Sequence, residues 1–371
     1  MTDKQLTITE APVHYHPGVE QILENEQEMI DKISRMMIDM AKVVTKNEGA
    51  AMRATHSKAT GLLKGELLIA EDLPVELAQG LFASPGRYDA LIRFSQGPSQ
   101  PVSDKASGQR GMSIKVLGVN GPHIAESREK TTQDWVLAVE PAFVSSNAKA
   151  FYTNFQIGAS NTPHFPEGAI VALSRAARGV EAVLETVRAG SGNLRLLGRP
   201  PRHPASDPYY SQAPVRFGEY IAKIAAFPTE QTLAGIGDPH VDTSDDDNAF
   251  RNAMVAYFAK TEAEYEIRVQ LCTNLDTMPV EDASVEWAEK QSPYRTVARL
   301  ILPMQNAYSE ERRQYFEERL AFNPAHTLEA HRPLGSVMRA RMQAYMQTQE
   351  YRQHTNHVVP AEPRSCAEVP D

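Results

Sequence analysis

The sequence has 371 residues, of which 42% are hydrophobic and 23% charged, a composition typical of a folded globular protein rather than a disordered one. Its net charge is -9 and it has no dense Lys/Arg run, which argues against nucleic acid or an anionic membrane as the partner and favours a small molecule. The two cysteines, Cys272 and Cys366, indicate neither a disulfide framework nor a cysteine zinc site. Since the sequence has no apolar leader and no run of about 18 apolar residues, we expect a cytoplasmic protein.

The first 48 residues are predicted to form an arm followed by one long helix. Residues 1–18 are polar and contain two prolines, a pattern typical of an extended arm. From Glu20 to about Lys46, apolar residues recur at the spacing of an amphipathic helix. Methionines are frequent on this apolar face, and because thioethers fill irregular gaps we assign the face to core or subunit packing.

A series of strand-like runs separated by turn residues follows. These runs are Leu67 to Ala70, Asp89 to Ser95, Gly111 to Val119, Asp134 to Val139, Gly218 to Ala226, Glu264 to Leu271 and Arg295 to Pro303. Several of them alternate apolar and polar side chains, the pattern of antiparallel strands with one solvated face. Seven or eight such strands predict a closed barrel. Between the fourth and fifth runs, the stretch from Glu167 to about Leu197 has a helical pattern.

The C-terminal third is predicted to be helical. Ser309 to Phe322 has a helix-forming composition, with Ser309 placed to cap the helix and Pro324 to stop it. A further helix runs from Gly335 to about His354, and we expect the tail after Val358 to be disordered. The chain thus divides into the arm and helix (1–48), a barrel domain with helical insertions (49–357) and a polar tail (358–371).

The segment from Arg53 to Gly65 is the first candidate for chemistry. It places Arg53 three residues before His56 and leads into an apolar run at residues 67–69. A histidine held on an extended segment before a strand can point into a cavity, with its imidazole available for proton transfer. A surface loop is the alternative interpretation of the same segment.

Several arginines stand out by their positions. Arg93 lies in an apolar strand, where a guanidinium is costly unless it meets an anion such as a carboxylate. Arg341 and Tyr345 are four residues apart on the last helix and so share one face, where the guanidinium can hold the phenol as a phenolate, an anionic ligand suited to iron. Internal salt bridges and a packed tyrosine are the alternatives.

Taken together, these segments resemble, in the same order, signature segments of heme catalases. The matching residues are Arg53 with His56, Arg93-Phe94-Ser95, Arg110-Gly111 leading to Lys115, and the run from Arg341 through Tyr345 and Thr348 to Arg352. The segment from His331 to Gly335 is similar to one found in the smaller, bacterial catalase-related proteins. The resemblance covers roughly residues 45–355, and no GxSxG, GxGxxG or HExxH motif competes with it.

This resemblance implies an α+β fold, in which an eight-stranded antiparallel barrel surrounded by helices encloses heme b. His56 would be the acid/base that moves a proton between the two peroxide oxygens, and Ser95 would orient it. Tyr345 would be the axial iron ligand, with Arg341 keeping it deprotonated.

The resemblance also implies further contacts to the heme and an assembly state. Arg53, Arg93 and Arg352 would bind the heme propionates, and counting on from Pro141 places Phe151 where the family has a phenylalanine stacked on the heme. Catalase-like proteins commonly form dimers or tetramers, so a homo-oligomer is expected.

One departure from the family pattern concerns the asparagine that accompanies the distal histidine. Ala138 and Val139 precede Glu140-Pro141 at the corresponding place, so no amide stands there. We therefore expect a heme oxidoreductase that acts on hydrogen peroxide or organic peroxides, as a peroxidase or weak catalase rather than an efficient one.

Two other functions stay open at this point. Thr55 directly precedes His56, as in a catalase relative that rearranges fatty-acid hydroperoxides, an enzyme of the allene oxide synthase type. A non-catalytic heme carrier or sensor that keeps the barrel without useful turnover is the third possibility.

Overall fold

The structure is a computed structural model that describes residues 10–106, 108–157 and 200–371, and the side chains of residues 155–157 are not described. The predicted helical stretch from Glu167 to about Leu197 lies outside these ranges, as do the first nine residues of the N-terminal arm.

Within the described ranges, nine strands form one antiparallel sheet. They are β1 (Lys58–Ile69), β2 (Gly86–Gln96), β3 (Arg110–Leu117), β4 (Thr132–Ala138), β5 (Tyr209–Tyr210), β6 (Val215–Phe217), β7 (Tyr220–Pro228), β8 (Ala263–Leu271) and β9 (Arg295–Leu302). The strands are paired in the order β5-β4-β3-β2-β1-β9-β8-β7, and β5 also pairs with β7, so eight strands close into a ring. The short β6 pairs with β7 outside that ring. The predicted closed eight-stranded antiparallel barrel is confirmed.

Alternation along the strands separates the barrel core from a second, outer layer. In β2, Ile92 and Phe94 belong to the barrel core, whereas Leu91 belongs to a cluster on the other side of the sheet. Arg93 and Ser95 share the outward side with Leu91, because successive side chains point to opposite faces of a strand. Both residues are nevertheless buried, so the outward side of β2 is covered.

Helices provide this covering layer. The described α-helices are α1 (Glu26–Glu48), α2 (Ala148–Ile157), α3 (Glu230–Ile236), α4 (Ala249–Phe258), α5 (Glu310–Arg313) and α6 (Ser336–Thr355). Helix α1 packs on α2 and α6, where Ile33 and Met37 contact Ala340 and Ala344 in one apolar cluster. This packing agrees with the predicted core role of the methionine-rich face. None of the described helices is long and apolar enough to cross a membrane.

The starts of helix α1 and strand β1 differ from the sequence prediction. Helix α1 begins at Glu26 rather than Glu20, and the two apolar residues ahead of it, Ile22 and Leu23, are 70% and 58% exposed. Strand β1 begins at Lys58 rather than Leu67. The sequence predicts too late a start because Gly61 and Gly65 interrupt the apolar alternation in the first half of the strand. Gly65 is required there, since a Cβ would lie 2.8 Å from the carbonyl oxygen of Ile301 on the neighbouring β9.

The predicted helix from Ser309 to Phe322 is replaced by two shorter elements. Ser309 does cap α5, since its Oγ accepts a hydrogen bond from Arg312 N at 3.1 Å. After Arg313 the chain widens into a π-helical turn, Gln314–Arg319, which closes with Leu320 N donating to Tyr315 O at 3.0 Å. The helical conformation therefore ends well before Pro324, and the π-helical turn changes which side chains face the barrel.

The tail after Val358 is ordered, contrary to the prediction. Val369 is only 3% exposed and packs with Tyr315 and Leu62 in the outer cluster. Ser365 and Glu368 form a capping box, and the Asp371 carboxylate lies 2.6 Å from Lys64 Nζ. The buried Val369, the capping box and the pair between Asp371 and Lys64 together order a segment whose composition predicts disorder.

A buried ion cluster ties β3 to β4. Lys115 is fully buried, and its Nζ lies 2.9 Å from Asp134 Oδ1 and also contacts the carboxylate of Glu129. Burial alone would lower the pKa of Lys115, but the two carboxylates outweigh burial and raise it. The amine is therefore charged, and both carboxylates depend on it for compensation.

We expect Lys115→Met to destabilise the fold by about 3–5 kcal/mol, because two buried carboxylates lose their counterion. Urea unfolding followed by circular dichroism measures this loss. The matched control is Lys42→Met, which removes a surface pair with Asp39 on α1 and should change little. Equal stability of the two variants would contradict the assignment.

Candidate functional site

The backbone of His56 is held in a left-handed turn just before β1. Its φ is 54°, a conformation uncommon for a residue with a Cβ. Three contacts fix it: His56 N donates to Gly97 O at 3.0 Å, Arg93 Nη2 donates to His56 O at 2.8 Å, and Ser57 N donates to Pro98 O at 3.1 Å. A strained turn held from several sides gives the imidazole a defined direction.

The imidazole of His56 lies against the β2–β3 pair. Ser95 Oγ on β2 is 3.2 Å from His56 Nδ1, which is the contact expected from the sequence. Gly111 pairs with Ser95 in the β2–β3 register, and a Cβ on Gly111 would lie 2.8 Å from two ring atoms of His56. The ring therefore needs glycine at this position, a role that the sequence did not reveal.

The surroundings of His56 keep it neutral. Burial, followed by the positive charges of Arg93 and Arg341, lowers the pKa of His56 to about 3. A neutral imidazole carries one proton and one free lone pair, so it can both accept and donate a proton.

An alanine stands where the family pattern has its asparagine. Ala138 pairs with Gly111 across β3 and β4, so its methyl group is next to the position against which His56 packs. Val139 is buried in the barrel core. The structure therefore places no side-chain amide at either position.

A cavity that is partly open to solvent lies beside His56. Most of the predicted site residues line it, namely Arg53, Thr55, His56, Arg93, Ser95, Tyr345 and Arg352. Residues that the sequence did not single out complete the wall, including Met37, Ser113, Val136, Leu137 and Phe322.

Two predicted site residues are not part of that wall. Arg341 lies behind Tyr345 and contacts it rather than the cavity. Phe151 on α2 packs against Phe143, with ring centroids 5.4 Å apart, in the cluster between α1 and α6. Its contact with a heme face stays a prediction.

Tyr345 and Arg341 form the pair expected on one face of α6. Arg341 Nη2 donates to the Tyr345 hydroxyl at 3.3 Å and to the Val136 carbonyl of β4 at 3.3 Å. The guanidinium carbon lies 5.4 Å from the centroid of the tyrosine ring. The barrel thus anchors the arginine, which presents a fixed positive charge to the phenol oxygen.

Three arginines meet at another part of the cavity wall, around a carboxylate that the sequence did not single out. Arg93 binds Glu317 through two bonds, Nε to Oε1 at 2.6 Å and Nη2 to Oε2 at 2.9 Å. Arg53 Nε lies 3.3 Å from Glu317 Oε2. Arg352 Nη2 donates to the carbonyl of Leu320 at 3.0 Å, which also accepts from Arg53. We call Arg53, Arg93 and Arg352 the arginine cluster.

The arginine cluster has more positive charge than its one carboxylate neutralises. Burial and repulsion by Arg352 lower the pKa of Arg53, and burial lowers the pKa of Arg352 to about 10. Burial would raise the pKa of Glu317, but the charges of Arg93 and Arg53 outweigh it and lower the pKa to about 2. Among the residues that the structure describes, Arg352 Nε is buried without a hydrogen-bond partner. The cluster is therefore suited to bind an anion.

Searches with the sequence alone find no matching family model and no matching curated protein. Comparison with solved structures does find similar folds. A fungal catalase matches with a TM-score of 0.57 at 18% identity, covering 96% of this chain and 68% of that chain. The chain has the catalase fold.

Two further catalase-fold structures show the same extent of similarity. A bacterial catalase matches with a TM-score of 0.58 at 16% identity, covering 96% of this chain and 67% of its own. Catalase A from Saccharomyces cerevisiae matches with a TM-score of 0.57 at 17% identity, covering 93% and 68%. At these identities the similarity establishes the architecture alone.

We expect the His56 imidazole to show no protonation step between pH 5 and 8, because its pKa is lowered to about 3. Since the fold favours the neutral form, the associated stability is present above the ordinary value of 6.5 and is lost as the pH falls towards 3. NMR of ¹³C-labelled histidine, with His56→Gln to assign the signal, measures the titration. A step near pH 6.5 would contradict the described burial.

Proposed function

We propose that this protein binds heme b and acts as an oxidoreductase on peroxides. One observation carries the proposal: a neutral histidine, an arginine-paired tyrosine and the arginine cluster all line or adjoin one cavity. A proton-transfer group, an anionic metal ligand and a carboxylate-binding site are the three parts that a heme peroxide site requires.

The residues present fit a heme. Tyr345 would be the iron ligand, with Arg341 stabilising its phenolate form. The arginine cluster would hold the propionates, and Arg352 Nε, a buried donor with no partner among the described residues, could donate to such an anion. When bound, the heme iron would supply the redox chemistry for cleaving the peroxide O–O bond.

His56 would move the proton that this cleavage needs. The lone pair of the neutral imidazole would take the proton from one peroxide oxygen, and the imidazolium would return it to the other oxygen, which leaves the ring neutral again. The leaving group then departs as water or an alcohol instead of an anion. Ser95 Oγ, at 3.2 Å from Nδ1, would hold the orientation of the ring.

The cavity wall favours peroxidase activity over efficient dismutation of hydrogen peroxide. The methyl group of Ala138 stands next to the His56 site in place of a side-chain amide, so a small polar peroxide has one fixed donor fewer. Val136, Leu137 and Phe322 give the wall apolar surface that would contact the carbon group of an organic hydroperoxide.

Thr55 supports a second candidate function. It lines the cavity directly beside His56, as in the hydroperoxide-rearranging relative of the catalases. A fatty-acid hydroperoxide would then be isomerised without a reducing substrate. A non-catalytic heme carrier is the third candidate, and a cytoplasmic location and a homodimer or homotetramer stay predictions.

We expect hemin added to the purified protein to give a Soret band whose titration saturates at one heme per chain. Tyr345→Phe should weaken and shift this band, because the iron loses its phenolate oxygen. The matched control is Tyr351→Phe on the same helix, whose hydroxyl donates to Thr45 Oγ1 at 3.1 Å. No band with wild-type protein would rule out all three heme functions, and an unchanged band in Tyr345→Phe would rule out the ligand.

We expect His56→Ala to retain heme but to lose roughly hundredfold to ten-thousandfold in peroxidase turnover, the usual contribution of a positioned acid/base. Stopped-flow measurement with hydrogen peroxide and with alkyl hydroperoxides gives the rates, and the exposed His240→Ala is the control. Full turnover in His56→Ala would exclude the proposed role. Product formation from fatty-acid hydroperoxide without any reductant would favour the rearranging enzyme.

A further inference from the structure

Glu317 belongs to the site although it does not line the cavity. The three arginines that surround it reach the cavity wall, whereas Glu317 stands behind them. We propose that Glu317 is a positioning residue, which aligns Arg53 and Arg93 so that the arginine cluster selects a ligand bearing two carboxylates. The proposal rests on the proposed heme function and assigns a role to a residue outside the ligand's reach.

The hydrogen bonds of Arg93 and Arg53 show which edge of each guanidinium group is already occupied. Arg93 uses Nε and Nη2 for Glu317, and Nη2 also contacts the His56 carbonyl. Arg53 uses Nε for Glu317 and Nη2 for the carbonyls of Phe316 and Leu320. No hydrogen bond within the described part of the chain uses Nη1 of either residue. Since a guanidinium is a rigid planar fork, fixing one edge fixes the direction of the other.

The π-helical turn contains Glu317 and places its carboxylate next to Arg53 and Arg93. The bond from Leu320 N to Tyr315 O spans five residues, so this turn holds one more residue than an α-helical turn. Phe316 in this turn and Leu320, the residue that ends it, supply the two carbonyls that Arg53 contacts. Within the described ranges, every acceptor of Arg53 therefore lies in this π-helical turn or at its end.

Charge then sets the preference for two carboxylates. The arginine cluster carries three positive charges, and Glu317 neutralises one of them, which leaves two for a ligand. A dianionic ligand would complete the compensation, whereas a ligand without carboxylates would leave two buried cations unmatched. Glu317 also keeps the cationic groups paired when no ligand is bound.

Metal-free protoporphyrin IX and its dimethyl ester test this inference without involving the iron or Tyr345. The dissociation constants of both porphyrins are measured by fluorescence for wild-type protein, Glu317→Gln and Glu318→Gln. Glu318 is the matched control, because it is the next residue and its carboxylate pairs with Arg313 at 3.3 Å. We expect wild type and Glu318→Gln to prefer the diacid. Glu317→Gln leaves one more positive charge uncompensated, which by itself would raise the preference for the diacid. A loss of about tenfold of that preference, equivalent to about 1.4 kcal/mol, is therefore expected only if Arg53 and Arg93 lose their alignment.

The comparison of diacid with ester separates positioning from general loosening of the fold. A purely structural role of Glu317 would weaken the binding of both porphyrins equally and would overturn the proposal. If Glu317→Gln does not fold, Glu317→Asp keeps the charge but withdraws the carboxylate by one methylene, and it should lose several-fold of the preference. An unchanged preference in the folded variant overturns the proposal alone. Failure of wild type to bind any porphyrin, hemin included, overturns it together with the heme function.

Discussion

Burial of three guanidinium groups at one cavity wall is the constraint on which this site depends. Arg93 lies on the outward face of β2, Arg53 precedes β1, and Arg352 is on the last turns of α6. Buried cations repel one another unless an anion holds them, and Glu317 is the carboxylate that brings two of them together. The barrel, the π-helical turn and the C-terminal helix are thus joined through one charge cluster, and that cluster has positive charge left for a ligand.

Backbone geometry at a few positions gives the site its direction. The left-handed turn at His56 is tied to Gly97 and Arg93, so an arginine of the cluster that we propose to bind an anion also orients the proposed proton-transfer group. Gly111 makes room for the imidazole on β3. On the neighbouring strand β4, the carbonyl of Val136 accepts a hydrogen bond from Arg341 and holds it against Tyr345. The rigid sheet therefore fixes both the histidine and the arginine that serves the phenol.

The sequence predicted those features that follow from local periodicity. Alternating strands gave the closed barrel, and a four-residue spacing on a helix gave the Arg341–Tyr345 contact. Features that depend on backbone irregularity were missed. Glycines interrupt the apolar alternation in the first half of β1, so the pattern does not predict that half. In the π-helical turn the number of residues per turn changes, so the helical spacing does not predict which way the side chain of Glu317 points. The ordered tail depends on Val369 finding a tertiary partner, which no local pattern reveals.

The most direct measurement of the central claim is a crystal structure of the protein loaded with hemin. The account predicts the porphyrin in the cavity beside His56, with the Tyr345 oxygen on the iron, both carboxylates on the arginine cluster, and Glu317 still bound to Arg93. A porphyrin bound elsewhere, an iron ligand other than Tyr345, or carboxylates directed to solvent would contradict it.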